Sequence, residues 1–137
     1  MRKFIFEPLP GGRHLRPVIP FTFARFPKFE MKGLIDSGAV ATRVHADIAE
    51  YMQIDLSGIE PVSFVAGGGK YYGRTVPTQL SVDGFIWEAP VCFTEEWELG
   101  YQLLGLRGFF DTFVVRIEAS KLSVKLSPSR QPIRGPS

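Results

Sequence analysis

The chain has 137 residues, 45% of them apolar and 22% charged, with a formal net charge of +2. That length and composition fit one soluble domain with a core of its own, and no run reaches the roughly 18 to 20 apolar residues a membrane span requires. Scattered Lys and Arg give no electrostatic footprint for nucleic acid, and a single cysteine, Cys92, with only His14 and His45 gives neither a disulfide nor a metal cluster, so no cofactor or metal is expected.

Met1-Arg2-Lys3 and the apolar Phe4-Ile5-Phe6 begin like a leader, but Glu7 and Pro8 end the run, so no export signal is read and a cytoplasmic location is expected. Residues 1–14, with Pro8, Pro10, Gly11 and Gly12, read as an N-terminal arm outside the domain. The domain itself is expected over 15–126. Period-two alternation begins at Val18, Pro20, Thr22 and Ala24, and the apolar stretch Gly33-Leu34-Ile35 reads as a strand that stops at Asp36-Ser37-Gly38. Helical spacing follows in Val44, Ile48 and Met52. Val76, Thr78, Leu80 and Val82 alternate, as do Phe85, Trp87, Ala89, Val91 and Phe93, and Asp83-Gly84 between them predicts a hairpin over 75–93. A short helical turn is expected in "RGFFDTF", then two strands in "TFVVRIEASKLSVKL" joined at Ala119-Ser120-Lys121. The tail 127–137, rich in Pro and polar residues, is expected to be disordered. The fold class is therefore mainly β, a small closed or nearly closed barrel with one or two short helices.

Several motifs carry little. Gly67-Gly68-Gly69-Lys70 lacks the upstream Gly and the downstream Ser or Thr of a phosphate-binding loop, and reads as a hairpin tip. Ser37 stands outside Gly-x-Ser-x-Gly, and His45 has no orienting acid, which leaves His45 as a surface or helix-start residue. Glu95, Glu96 and Glu98 read as a solvated loop. Asp36 is placed differently, at the edge of the core, although Asp-Ser-Gly after a strand is also an ordinary Asx-type turn.

Four segments in order resemble the retropepsin-like aspartic proteases, single-domain relatives of pepsin with retroviral and bacterial members. They are Leu34-Ile35-Asp36-Ser37-Gly38-Ala39 with Thr42 behind it, "VAGGGKYYGR" at 65–74, Leu103-Leu104-Gly105, and "GFFDTFVVRIE" at 108–118. Together they span most of residues 16–118. The resemblance implies an acid-protease barrel in which Asp36 is catalytic and Ser37, Gly38, Ala39 and Thr42 support its turn. It implies a flap of Ala66, Gly67, Gly68, Gly69, Lys70 and Tyr71 that binds substrate, and a ψ-loop of Leu103, Leu104 and Gly105 beside the catalytic turn.

The chain departs from the retroviral pattern where an acid follows the Ala and an Arg follows the downstream Gly. Here Val40 and Leu106 stand there, an expected apolar contact in place of an ion pair, with Arg107 one residue later. Since the chain holds one Asp-Ser-Gly, the implied chemistry requires a homodimer whose two copies of Asp36 share a proton and activate water to hydrolyse an extended peptide or protein substrate. The alternatives are a non-catalytic dimerisation or peptide-binding module on the same barrel, and an OB-type barrel binding oligonucleotide or sugar through Phe21, Phe23, Phe26 and Arg25.

Overall fold

A computed structural model describes residues 2–66, 68–97 and 99–129. Its strands are β1 (Arg2–Ile5), β2 (Glu7–Pro8), β3 (Leu15–Arg16), β4 (Val18–Phe23), β5 (Met31–Ile35), β6 (Thr42–His45), β7 (Val62–Ala66), β8 (Gly69–Val82), β9 (Phe85–Thr94), β10 (Gln102–Leu104), β11 (Phe113–Glu118) and β12 (Ser123–Pro128). Helix α1 covers Ala46–Tyr51, and a single 3₁₀ turn, Ala119–Lys121, joins β11 to β12.

Six strands close on themselves in the order β4-β5-β10-β6-β9-β8, and the ring is completed by β8 pairing back onto β4 at Thr22↔Ser81 and Phe23↔Leu80. The closed barrel is as the alternation predicts. Ile19, Phe21 and Phe23 point inward from β4, Leu80 and Val82 from β8, and Trp87, Ala89, Val91 and Phe93 from β9, all buried. Burial of Phe21 and Phe23 in the core takes two of the three aromatics from the face an OB-type binding site would need, leaving Phe26 partly exposed beside Arg25. The β8–β9 turn has Asp83 at φ 47° and Gly84 at φ 84°, the left-handed pair that matches the twist of a two-residue hairpin.

β8 is long enough to serve two structures. Its second half lies in the barrel, while residues 69–73 leave it to pair with β7 as a projecting hairpin. A second sheet, β1-β12-β11, packs Val124, Leu126 and Phe113 against the aromatic cluster of Trp87 and Phe109. Trp87 Nε1 donates to the Gly108 carbonyl at 2.7 Å, which satisfies its buried polar atom.

The termini differ from expectation. Residues 2–5 of the expected arm form β1, with Phe4 opposite Val124, and Phe6 behind it is buried; the run that resembles the start of a leader is an edge strand. Glu7–Pro8 pairs with Leu15–Arg16 around Gly11, at φ 76°, so the Pro and Gly residues shape a small hairpin. At the other end, Ser127 and Pro128 belong to β12, and Ser129 N donates to the Thr112 carbonyl at 2.7 Å. The rest of the expected disordered tail, 130–137, lies outside the described residues. His45 caps α1, its Nδ1 accepting from Asp47 N at 2.9 Å. In "RGFFDTF", Gly108 takes φ 92°, and after it Thr112 N and Phe113 N both donate to the Phe109 carbonyl at 3.0 Å, closing a single turn.

Candidate active site

β5 delivers Asp36 to the rim of the barrel. Ile35 is buried, Asp36 partly exposed and Ser37 exposed, so the chain leaves the core over these three residues. The turn is closed by Ala39 N donating to the Asp36 carbonyl at 3.1 Å, and the carboxylate is held by Gly38 N donating to Oδ1 at 2.8 Å. That is the Asx geometry. It fixes one carboxylate oxygen, while Oδ2 takes no hydrogen bond among the described residues. A Cβ at Gly38 would lie 3.1 Å from Oδ1, so glycine keeps the oxygen unobstructed.

The turn is braced from beneath by the segment after β10. Asp36 N donates to the Leu104 carbonyl at 3.0 Å, Leu106 N to the Ala39 carbonyl at 2.9 Å, and Arg107 N to the Val40 carbonyl at 2.9 Å. Thr42, at 0% exposure, ties the two segments together: its Oγ1 donates to the Arg107 carbonyl at 2.8 Å and accepts from Gly105 N at 3.2 Å. Any side chain at Gly105 would run into the carbonyl oxygens of Ala41 and Ala39. Leu103 and Leu104 reach this place because β10 lies between β5, which it pairs in parallel, and β6, which it pairs antiparallel.

Val40 and Leu106, read as an apolar contact in place of the ion pair, are 65% and 44% exposed beside the Asp36 turn, so they lie at the surface of one chain. The Arg107 side chain is also exposed.

The β7–β8 hairpin carries the expected flap residues. Ala66 pairs with Gly69 and Gly68 has φ 81°, while Gly67 and the Ala66 side chain lie outside the described residues. Tyr71 stacks on Phe64 across the hairpin at 5.7 Å and meets Trp97 edge-on at 5.6 Å; Lys70 Nζ lies 5.7 Å from the Tyr72 ring centroid. No hydrogen bond among the described residues joins the hairpin to the Asp36 turn. Nor do the described residues contain a group of three metal-ligating side chains.

One residue of this region escaped sequence reasoning. Arg43, between Thr42 and Val44 in β6, lies under the hairpin with its guanidinium 3.4 Å from the Phe64 ring centroid and donating to Cys92 Sγ at 3.2 Å. Burial lowers its pKa, an effect opposed by its interaction with Cys92. The only signal was its charge between two residues with inward alternation.

No family model matches the sequence, and no curated protein matches it. Among solved structures, the chain is similar to a retropepsin-like aspartic protease from Rickettsia conorii, with TM-score 0.63 and 16% identity over 90% of this chain and 98% of that one. It is also similar to the retroviral protease-like domain of Ddi1 from Leishmania major, with TM-score 0.58 and 15% identity over 88% and 100% of the two chains. This is the retropepsin fold. At such identity the likeness lies in the backbone path, and it extends over nearly the whole length of both neighbours. Within this retropepsin fold the Asp36 turn, the Leu103-Leu104-Gly105 segment bracing it and the projecting hairpin are three of the four segments the sequence resemblance singles out; the fourth, 108–118, runs through the turn after Gly108 into β11.

Proposed function

We propose that the chain is an aspartic endopeptidase whose active site forms when two copies pair about a two-fold axis through the Asp36 turn. The observation that carries this reading is the carboxylate itself: partly exposed at the barrel rim, oriented through one oxygen by Gly38 N, and seated on a turn that the 104–107 segment holds rigid. A group so placed is preorganised for proton transfer. Symmetry brings the second carboxyl beside the first, and two such groups in contact hold one proton between them.

In the proposed reaction the ionised Asp36 takes a proton from a bound water as its oxygen adds to the peptide carbonyl carbon. The protonated Asp36 of the other copy gives its proton to the carbonyl oxygen. Collapse of the resulting diol breaks the C–N bond: the pair gives its proton to the leaving nitrogen and takes one from a diol hydroxyl as the product carboxyl group forms, so the dyad ends with the one proton it began with. No cofactor or metal takes part. Ser37 is assigned to bracing across the two-fold axis, Val40 and Leu106 to the contact between copies, and residues 66–73 to closing over an extended peptide through main-chain hydrogen bonds. A cytoplasmic setting is part of the proposal; no helix among the described residues is long and apolar enough to cross a membrane.

The Asx geometry of Asp36 also favours a second reading, in which the carboxylate only stabilises its turn in a non-catalytic peptide-binding or dimerising module. Cleavage of an unstructured polypeptide by the wild-type chain, its loss in Asp36→Asn, and a fall in specific activity on dilution separate the two. Undiminished cleavage by Asp36→Asn would refute the assignment.

A further inference from the structure

Beneath the hairpin sits a positive charge that the proposed reaction does not use. Thr42 and Val44 face the core at 0% exposure, so strand alternation turns Arg43 to the opposite side of β6, under β7. There its guanidinium is clamped between the Phe64 ring and the Cys92 sulfur, and Phe64 is itself stacked on Tyr71. None of the ion pairs formed among the described residues involves Arg43. A guanidinium has five N–H donors in a rigid fork; its one hydrogen bond among the described residues goes to sulfur, a weak acceptor. Aromatic clamping fixes the fork without neutralising it.

The register of the sheet locates this cation relative to Asp36. Arg43 pairs with Leu103, and Leu103 pairs with Leu34, two residues before Asp36. Two strand spacings of about 4.8 Å and two residues of about 3.3 Å put the Arg43 backbone roughly 12 Å from that of Asp36. An extended peptide lying from Asp36 under the hairpin covers that distance in about four residues.

We propose that Arg43 is the specificity-determining contact of a subsite beneath the hairpin that takes an acidic side chain of an extended peptide, within about four residues of the scissile bond. The inference rests on the peptide-binding cleft of the proposed function. A substrate carboxylate meets the fork in two parallel charge-assisted bonds and supplies the negative partner that Arg43 does not find among the described residues, while the neutral amide of Gln or Asn cannot. Phe64 and Tyr71 then act as the wall that holds the cation in place.

The test uses full-length Asp36→Asn protein, which binds without turnover, and a labelled octapeptide series in which one Glu is walked along a neutral host, each peptide paired with its Gln counterpart. Fluorescence anisotropy should find one position where Glu binds about tenfold more tightly than Gln, equivalent to about 1.4 kcal/mol. The preference should vanish in Asp36→Asn/Arg43→Gln, turn toward Lys in Asp36→Asn/Arg43→Glu, and shrink without vanishing in Asp36→Asn/Arg43→Lys, which keeps the charge and the fold but loses the fork. Equal binding of Glu and Gln at every position, or a preference that survives Arg43→Gln, overturns the subsite. Cleavage by the wild type with no charge preference removes the subsite and keeps the endopeptidase. Charge-selective binding without hydrolysis by the wild type does the reverse.

Discussion

Replacing Thr42 by Val removes the hydroxyl that fastens the Asp36 turn to the segment beneath it, at almost no change in side-chain shape. The Arg107 carbonyl keeps a partner, since Thr42 N also donates to it at 3.1 Å, but Gly105 N loses Oγ1, its partner at 3.2 Å, in a place with no access to water. A buried N–H left unsatisfied costs about 1–3 kcal/mol, so a loss of about 2 kcal/mol is expected. With a urea dependence of about 2 kcal/mol per molar, the unfolding midpoint should fall by about 1 M at unchanged slope. Thr42→Ser keeps the hydroxyl and loses one methyl group, for which about 1 kcal/mol is expected. The order of the two variants decides the matter. If Thr42→Val is as stable as Thr42→Ser or more so, the hydroxyl does not brace the turn and the reasoning fails.

Gly105→Ala should cost about 3 kcal/mol in the same urea assay, because its Cβ meets the main-chain oxygens of Ala39 and Ala41, which cannot swing away. Trp87→Phe removes the 2.7 Å bond to the Gly108 carbonyl as well as packing against Phe113 and Phe109, and a loss of about 2 kcal/mol is expected by chemical denaturation. Glu118 is held below the usual carboxylate range, first by its bond to Lys121 and also by the charges of Arg116 and Lys125, against the opposing effect of burial. A carboxylate depressed on folding stabilises above its unfolded value and loses that contribution as pH falls through the folded one. Thermal midpoints measured from pH 6 down to about pH 3 should therefore fall less steeply for Glu118→Gln than for the wild type; parallel curves would show that the cluster adds nothing.

The barrel was legible where residues alternate over several positions with one face buried. Phe21 and Phe23, or Trp87 through Phe93, need only the period-two rule, and Asp83-Gly84 needs only the left-handed turn chemistry. Strand β10 was not legible in that way, since three residues have no period; Gln102–Leu104 is a strand because β5 and β6 leave a slot between them. β1 escaped because its partner β12 lies at the far end of the chain, and an apolar run followed by Pro reads alike as leader or edge strand. At the candidate site, the resemblance marked Asp36, Gly38 and Thr42, but which groups the Thr42 hydroxyl fastens, and the clamped charge of Arg43, depend on contacts with Gly105, Arg107, Phe64 and Cys92 that no spacing rule supplies.

The braced turn has one face finished and one face open, which bears on how the proposed dimer would respond to salt. Beneath the turn, main-chain bonds are satisfied within the chain; beside it, Ser37, Val40 and Leu106 face solvent, without carboxylate or guanidinium among those three. Where acid and Arg would make a contact that salt screens, Val40 and Leu106 offer apolar surface, whose burial salt leaves intact or strengthens. Raising sodium chloride from about 0.05 to about 0.5 M shortens the screening length from about 14 to about 4 Å and should leave the dimer dissociation constant unchanged or lower, as read by sedimentation velocity across a concentration series. Val40→Asp should weaken association and make it salt-sensitive, since two like charges would then meet near the axis. A wild-type dimer that loosens markedly with salt would instead be held by charges elsewhere, and the contact assigned to Val40 and Leu106 would be wrong.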